Sequence, residues 1–435
     1  MDISANIINH THWDREWFLT SIYTNQWIPK LVEALERRAA NNPNYRFLLD
    51  GQTLVIEDLL TTAPDYRDKV DKLISARNLI IGPYYCQPDW RIAGGESLIR
   101  NLLYGREDMQ QHSGRNHTGW LVDTFGHISQ APQLHRLFGL DAVFVWRGIP
   151  KMEPYFRWQS ANGQQLLAIN LFGGYRNLYG ITRVPEVSIK RLEAEIAKLK
   201  PYYPTPDIPL FDGYDLEQNP EDPALFYREH AADMPKHVRI KESSPGDFAQ
   251  EVNDKVPHLP IIVGELNSGK YGAVFPGTLS TRTYLKVMNR DSEHLLFGLC
   301  EPLAILARLH GRPYQAQQYE TWARSLLQNT IHDCICGVSI DQVHEKMEDS
   351  YCKLYRDIKQ DVQASLAYIL RNFVPGMYAV STNPFAYVGW QVVEDNAYHL
   401  CTKGIGVWRV TESSPVERPQ QPVTEFKWQN NYYAA

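Results

Sequence analysis

An α/β region, then a helical bundle, then the opening of a β-domain: three observations in the sequence predict this order. Over the first 265 residues short β-type runs alternate with amphipathic helical segments. From about residue 278 three long helical patterns replace that alternation. After Pro375-Gly376 the pattern turns to strands (YAVSTNPFAYVGWQVVE) and then to a Pro- and polar-rich tail ending at Ala435. Alternating β and α elements imply a mostly parallel sheet with helices outside it, either wound or closed.

The expected strands are 3–9 (ISANIIN), 45–49 (YRFLL), 78–82 (NLIIG), 118–122 (TGWLV), 141–145 (DAVFV), 207–211 (DIPLF) and 260–265 (LPIIVG). Each is a short β-type run. Between most of them lie amphipathic segments at 22–39, 51–62, 96–111 and 187–199. One stretch departs from the alternation: in 156–170 (FRWQSANGQQLLAIN), Asn162-Gly163 between alternating apolar positions signals an inserted β-hairpin. The helical patterns at 279–309, 314–330 and 340–372 are joined by short links and predict an antiparallel bundle. The expected domains are therefore 1–270, 278–374 and an incomplete β-segment, 375–435.

Composition narrows the function. The 435 residues are 43% hydrophobic and 22% charged, ordinary for a globular protein. Forty-four basic residues against fifty acidic ones give a net charge of −6, a poor match to nucleic acid. The most apolar long window, Leu295 to Ala307, is interrupted by Glu301 and Pro302, so no membrane span is expected. The N-terminus (MDISANIINHTHWD) has neither a basic start nor a sustained apolar run, so no signal peptide is expected either. Six cysteines without a CxxC pair point to a reducing cytoplasm.

Active sites of α/β sheets and barrels lie at the carboxyl ends of strands. His10, His12 and Asp14 follow the first expected strand, Asp123 the fourth, Arg147 the fifth, and Asp212 and Asp215 the sixth. Singly, each is more often a cap or a satisfied polar group; together they gather carboxylates and imidazoles on one face. The imidazole of His12 and the carboxylate of Asp14 suit a borderline divalent ion such as zinc, which needs further ligands. His332-Asp333 falls where the second bundle helix is expected to end, a place where a histidine also complements the helix dipole. A site of His332, Cys334, Cys336 and His344 is a weaker alternative, because its CxC spacing departs from the usual gap. The string GELNSGK (264–270) imitates a phosphate loop, but Tyr271 stands where a Ser or Thr must hold magnesium.

The strings HTHWDREW (10–17), WLVDTFGH (120–127) with Pro132-Gln133, LFDGYD (210–215) and HD (332–333) together resemble glycoside hydrolase family 38. DGQT (50–53), STRTYLK (280–286) and CGVSIDQVH (336–344) add to the likeness, which runs from about residue 6 to residue 373 and leans toward bacterial mannosylglycerate hydrolase-like members. The resemblance implies a seven-stranded (β/α) barrel, a three-helix bundle and large β-domains, of which this chain would hold a truncated start. It implies a retaining, metal-dependent α-mannosidase acting on α-mannosides, mannosylglycerate or its 6-phosphate among them. Carried over, the metal ligands fall on His12, Asp14, Asp123 and His332, for one Zn2+ or another divalent ion. The nucleophile falls on Asp123 and the acid/base on Asp215, with Asp212 three residues away as the alternative. Trp17, Phe125, Arg147, Tyr175 and Asp333 correspond to positions lining the mannose site.

A retaining glycosidase needs two carboxyl groups about 5–5.5 Å apart, one nucleophile and one acid then base. Rival readings are a metal-dependent carbohydrate deacetylase and a non-catalytic sugar-binding fragment. Apolar positions on the first bundle helix (Leu285, Met288, Leu295, Leu296, Leu299 and Leu303) exceed one seam. They point to self-association or a separately supplied C-terminal part as partner, beside the small carbohydrate substrate.

Overall fold

The computed structural model describes residues 2–180, 184–393, 396–410, 427–428 and 433–434. Ten strands carry the α/β part: β1 (Ile3–Thr11), β2 (Phe47–Leu49), β3 (Leu79–Ile80), β4 (Thr118–Leu121), β5 (Ala142–Val145), β6 (Tyr155–Gln159), β7 (Gln165–Asn170), β8 (Asp207–Asp212), β9 (Val238–Glu242) and β10 (Ile261–Val263). In β1 every residue but Ser4 is buried, and β4, β5 and β8 are buried throughout. This two-faced burial is why these strands read as unbroken apolar runs.

The strands form two five-stranded sheets. One has the order β3-β2-β1-β8, with β9 also paired to β1; the other runs β10-β6-β7-β5-β4. All pairs are parallel except β6 with β7, the expected hairpin. Gly163, at φ +83°, turns its loop, and Asn162 Oδ1 accepts from Gln164 N at 3.1 Å. The mixed α/β class therefore holds; among the described residues no strand ladder joins the two sheets. β3 is two residues long and is soon followed by Pro83, which has no N–H to donate, and β10 has three residues. β9, unforeseen, is a charged strand (VRIKE) recruited by pairing with the buried β1.

The helices pack apolar stripes onto these sheets. Ile28, Leu31, Val32 and Leu35 of Ile28–Asn41 join the buried Phe47 and Leu49 of β2. Leu192, Ile196 and Leu199 of Pro185–Leu199 join Ile208 and Leu210 of β8. Helices at Arg67–Ser75, Ala131–Leu137, Pro223–Glu229 and Pro245–Lys255 were not in the expected set.

The chain divides into two compact units, Met1–Asp291 with Ala323–Cys352, and Ser292–Trp322 with Lys353–Ala435. In the second unit the first bundle pattern is not one continuous α-helix: a π-helical turn, His294–Cys300, precedes Glu301–Leu309. Pro302 cannot donate to the carbonyl four residues back, Gly298, and the Thr382 hydroxyl donates to that oxygen instead at 2.9 Å. Leu303, Ala307 and Ile369 are its buried core, with Val362, Leu366, Val380 and Val407 against them. Strands Tyr378–Ser381 with Gly406–Arg409, and Ala386–Val393 with Asn396–Lys403, follow as antiparallel pairs. Most of the expected tail, residues 411–426 and 429–432, lies outside the described residues. Among the described residues no helix is long and apolar enough to cross a membrane.

Candidate active site

The site is built where β1 ends. Its ladder with β8 is prolonged past the strands by a bridge between His12 and Asp215, with His12 N donating to Tyr214 O (3.2 Å) and Leu216 N to His12 O (2.7 Å). This register needs Gly213: a Cβ there would lie 2.6 Å from the His10 ring. The short helix His332–Ile335 arrives from far along the chain because Pro88 bridges Ile331 and His332 N donates to Gln87 O at 3.0 Å.

His12, Asp14 and His332 thereby meet, all buried, with one ligand atom from each lying within 4.8 Å of the others. His12 Nε2 is 2.8 Å from Asp14 Oδ1, and His332 Nε2 is 3.8 Å from the same oxygen. Apart from one another, none of these three atoms has a hydrogen-bond partner. Buried polar atoms without partners are costly, and three converging nitrogen and oxygen donors fit a divalent ion. Burial would lower the His12 pKa, but the Asp14 and Asp50 carboxylates outweigh it and hold the imidazole well above its ordinary value. Asp14 stays low despite burial, because His12 and His332 stabilise its charge.

Two carboxylates flank this cluster. Asp123 follows β4, and its Oδ2 stands 3.9 Å from His12 Nε2, at the rim of the three-residue group. Its Oδ1 accepts from both Nε (2.9 Å) and the Nη2 group of Arg147. Asp215 accepts from the Tyr175 hydroxyl at 2.8 Å. Burial is the main cause raising the Asp215 pKa; His12 and Tyr175 pull it down, and Asp14 and Asp123 push it further up. Asp212 belongs to other surroundings. Its carboxyl is pushed up to about 8 by burial and then by Glu217, Glu221 and Asp222, none of them near the metal donors in role.

The remaining expected residues gather in the same unit. The Phe125 ring packs edge-on to His332 at 5.6 Å, and Tyr175 lies 5.7 Å from His12. Arg147 is held under Trp146 at 4.3 Å and donates to Ala273 O at 2.8 Å. Asp333 sits 3.9 Å from His332 Nε2, its pKa well raised by burial, then by Asp14 and Asp123. Trp17 borders a pocket beside Asp215. Cys334, Cys336 and His344 contribute no atom to the cluster, although all three are buried.

Sequence reasoning missed Asp50 and Gln87. His12 Nδ1 lies 3.1 Å from both Asp50 oxygens, and His332 Nδ1 lies 3.3 Å from Gln87 O. Each imidazole thus has its far nitrogen occupied and its Nε2 turned inward, as a metal ligand requires. Asp50 immediately follows β2, so the strand-end rule that picked out Asp123 could have found it.

Residues 2–268 match the glycosyl hydrolases family 38 N-terminal domain. The chain belongs to that family. Residues 273–369 match the alpha mannosidase middle domain. A protein of Halalkalibacterium halodurans, provisionally named a mannosylglycerate hydrolase, is 30% identical over 81% of this chain and 41% of its own length. Human alpha-mannosidase 2C1 is 25% identical over 80% of this chain and 33% of its own. The crystal structure of an alpha-mannosidase from Enterococcus faecalis superposes with a TM-score of 0.84 and 25% identity, over 89% of this chain and 46% of that one. The chain thus spans less than half the length of these relatives.

Proposed function

We propose that this chain carries the catalytic centre of a metal-dependent retaining α-mannosidase. What supports this most is one juxtaposition: an arginine-held carboxylate, Asp123, and a carboxyl with raised pKa, Asp215, beside the His12, Asp14 and His332 donors. In this reading residues 1–270 form the catalytic domain, 278–374 the helical bundle and 375–435 the first part of a β-domain, working in the cytoplasm.

Asp123 attacks the anomeric carbon, with Arg147 fixing its Oδ1 and leaving the other oxygen toward the site. Asp215 protonates the departing glycosidic oxygen, a role that its burial-raised pKa favours. It then takes a proton from water, which releases the sugar from Asp123. His12, Asp14 and His332, with Asp123 at their rim, would hold zinc. The ion would anchor two vicinal sugar hydroxyls and favour ring distortion. Cis hydroxyls at C2 and C3 chelate one ion well, which favours mannose over glucose. Phe125, Tyr175, Trp17 and Asp333 would line the ring's surroundings.

The test is a pair of substitutions assayed on two mannosides. Asp123→Ala abolishes turnover of an activated aryl α-mannoside. Asp215→Ala costs about 10²–10⁴-fold on a poor leaving group and far less on the activated one. Equal losses on both substrates would remove Asp215 from the acid role, and acetate release from an acetylated sugar would point to a deacetylase.

A further inference from the structure

At the amino ends of β4 and β5 lies a cavity of about 600 Å3, whereas Asp123 follows the carboxyl end of β4. Its walls carry Arg106 from the helix Gly95–Gln111, Arg115 and His117 from the loop before β4, and Arg136 from the helix Ala131–Leu137. Among the described residues that line it there is no Asp or Glu, in a chain whose net charge is −6. Arg136 donates to Asp141 at 2.6 Å, but Arg106 and Arg115 meet no carboxylate among the described residues, and both are exposed. The loop that bears Arg115 and His117 is fixed from beneath. Buried Asn116 donates to Gly82 O at 2.6 Å and accepts from Thr118 N at 3.0 Å. Gly114 N donates to Met109 O at 2.7 Å, and His117 O accepts from Asp141 N at 3.0 Å. The floor is apolar: Leu102, Met109 and Leu140 are buried, with Phe138 half-buried against the same core.

We propose that this cavity binds an organic phosphate of nucleotide size, with its phosphates on Arg106, Arg115 and Arg136 and its ring on the apolar floor. A lone exposed arginine is solvated and needs no ligand. Here two uncompensated guanidinium groups share one concavity with a third, and an anion of two or more charges neutralises them. Guanidinium forks match phosphate oxygens two at a time, which a single carboxylate cannot exploit on three walls. An anchored loop loses little freedom when it binds, so the contacts are not spent on ordering it. The volume, within the range of about 300–1,000 Å3 typical of small-molecule sites, exceeds what a phosphate ion fills. A flat ring uses the remainder, because it offers apolar faces to the floor and to the guanidinium planes.

The site stands apart from the catalytic residues, so its test needs no turnover. Isothermal titration calorimetry of the whole chain at low salt uses ADP, with adenosine and inorganic phosphate beside it. ADP should bind at least about tenfold more tightly than either, since only ADP reaches both the arginines and the floor. Arg106→Ala and Arg115→Ala should each weaken ADP about tenfold, the loss of one charge-assisted contact. Both side chains are exposed, and an unchanged thermal midpoint checks that the variants fold. Arg239→Ala removes an equal charge from an exposed pair with Asp2, outside the cavity, and should leave the affinity unchanged. No ADP binding, unchanged affinity in Arg106→Ala and Arg115→Ala, an equal loss in Arg239→Ala, or inorganic phosphate binding as tightly as ADP would each overturn the proposal.

Discussion

Replacing Asp50 with Asn isolates how the metal donors are oriented. Asp50 is fully buried and sits at φ +48°, a backbone region that Asn tolerates well, so the substitution keeps both shape and turn. Its Oδ2 accepts from Trp13 N at 3.1 Å and Gln52 Nε2 at 2.9 Å, and both oxygens face His12 Nδ1 at 3.1 Å. An amide cannot serve all three donors. With its oxygen in the Oδ2 place, its NH2 opposes the Nδ1–H of His12 and drives the proton to Nε2, the atom needed for the metal. Flipped, the NH2 opposes the Trp13 and Gln52 donors instead. Losing such a supporting carboxylate typically weakens metal binding about 10–100-fold, which is about 1.4–2.7 kcal/mol. Competition titration of zinc against a chromophoric chelator measures this directly, and the thermal midpoint of the metal-free variant shows whether the fold survives. A well-folded Asp50→Asn chain that binds zinc as tightly as the parent would refute the reasoning.

Two further outcomes follow from the same geometry. Gly213→Ala should cost about 1–3 kcal/mol of stability, because its Cβ would press on the His10 ring, and should also displace Asp215; an unchanged denaturant midpoint would show that the β1–β8 contact yields instead. Burial holds the Asp212 carboxyl protonated up to about 8, whereas the unfolded chain releases that proton near pH 4. Native stability therefore falls as pH rises through that window. Asp212→Asn should match the parent at pH 4 and melt higher at pH 8.5, and a melting difference independent of pH would contradict this.

Much of the molecule was legible locally. Periods of 2 and 3.6 located the β6–β7 hairpin and the long helix Asp341–Leu370, since both depend on which face of a segment is apolar. The strand-end rule singled out His12, Asp14, Asp123 and Asp215 because donor chemistry is written in single residues. β9 was not legible: VRIKE has no apolar run, and it is a strand only because β1 offers it a hydrogen-bonding edge. Nor did local pattern show how the strands divide between the two described sheets. The same holds inside the site. Spacing could nominate Asp212 or Asp215 as the acid, but they differ in surroundings: Asp215 feels His12, Asp14 and Asp123, and Asp212 feels Glu217, Glu221 and Asp222. The sequence by itself determines the donor types and the segments that carry them. Which nitrogen of His12 is free, how Asp215 and Asp212 differ in surroundings, and how His332 reaches Asp14 across the chain were decided by the tertiary structure alone, because hydrogen-bond partners and burial are set by residues tens to hundreds of positions apart.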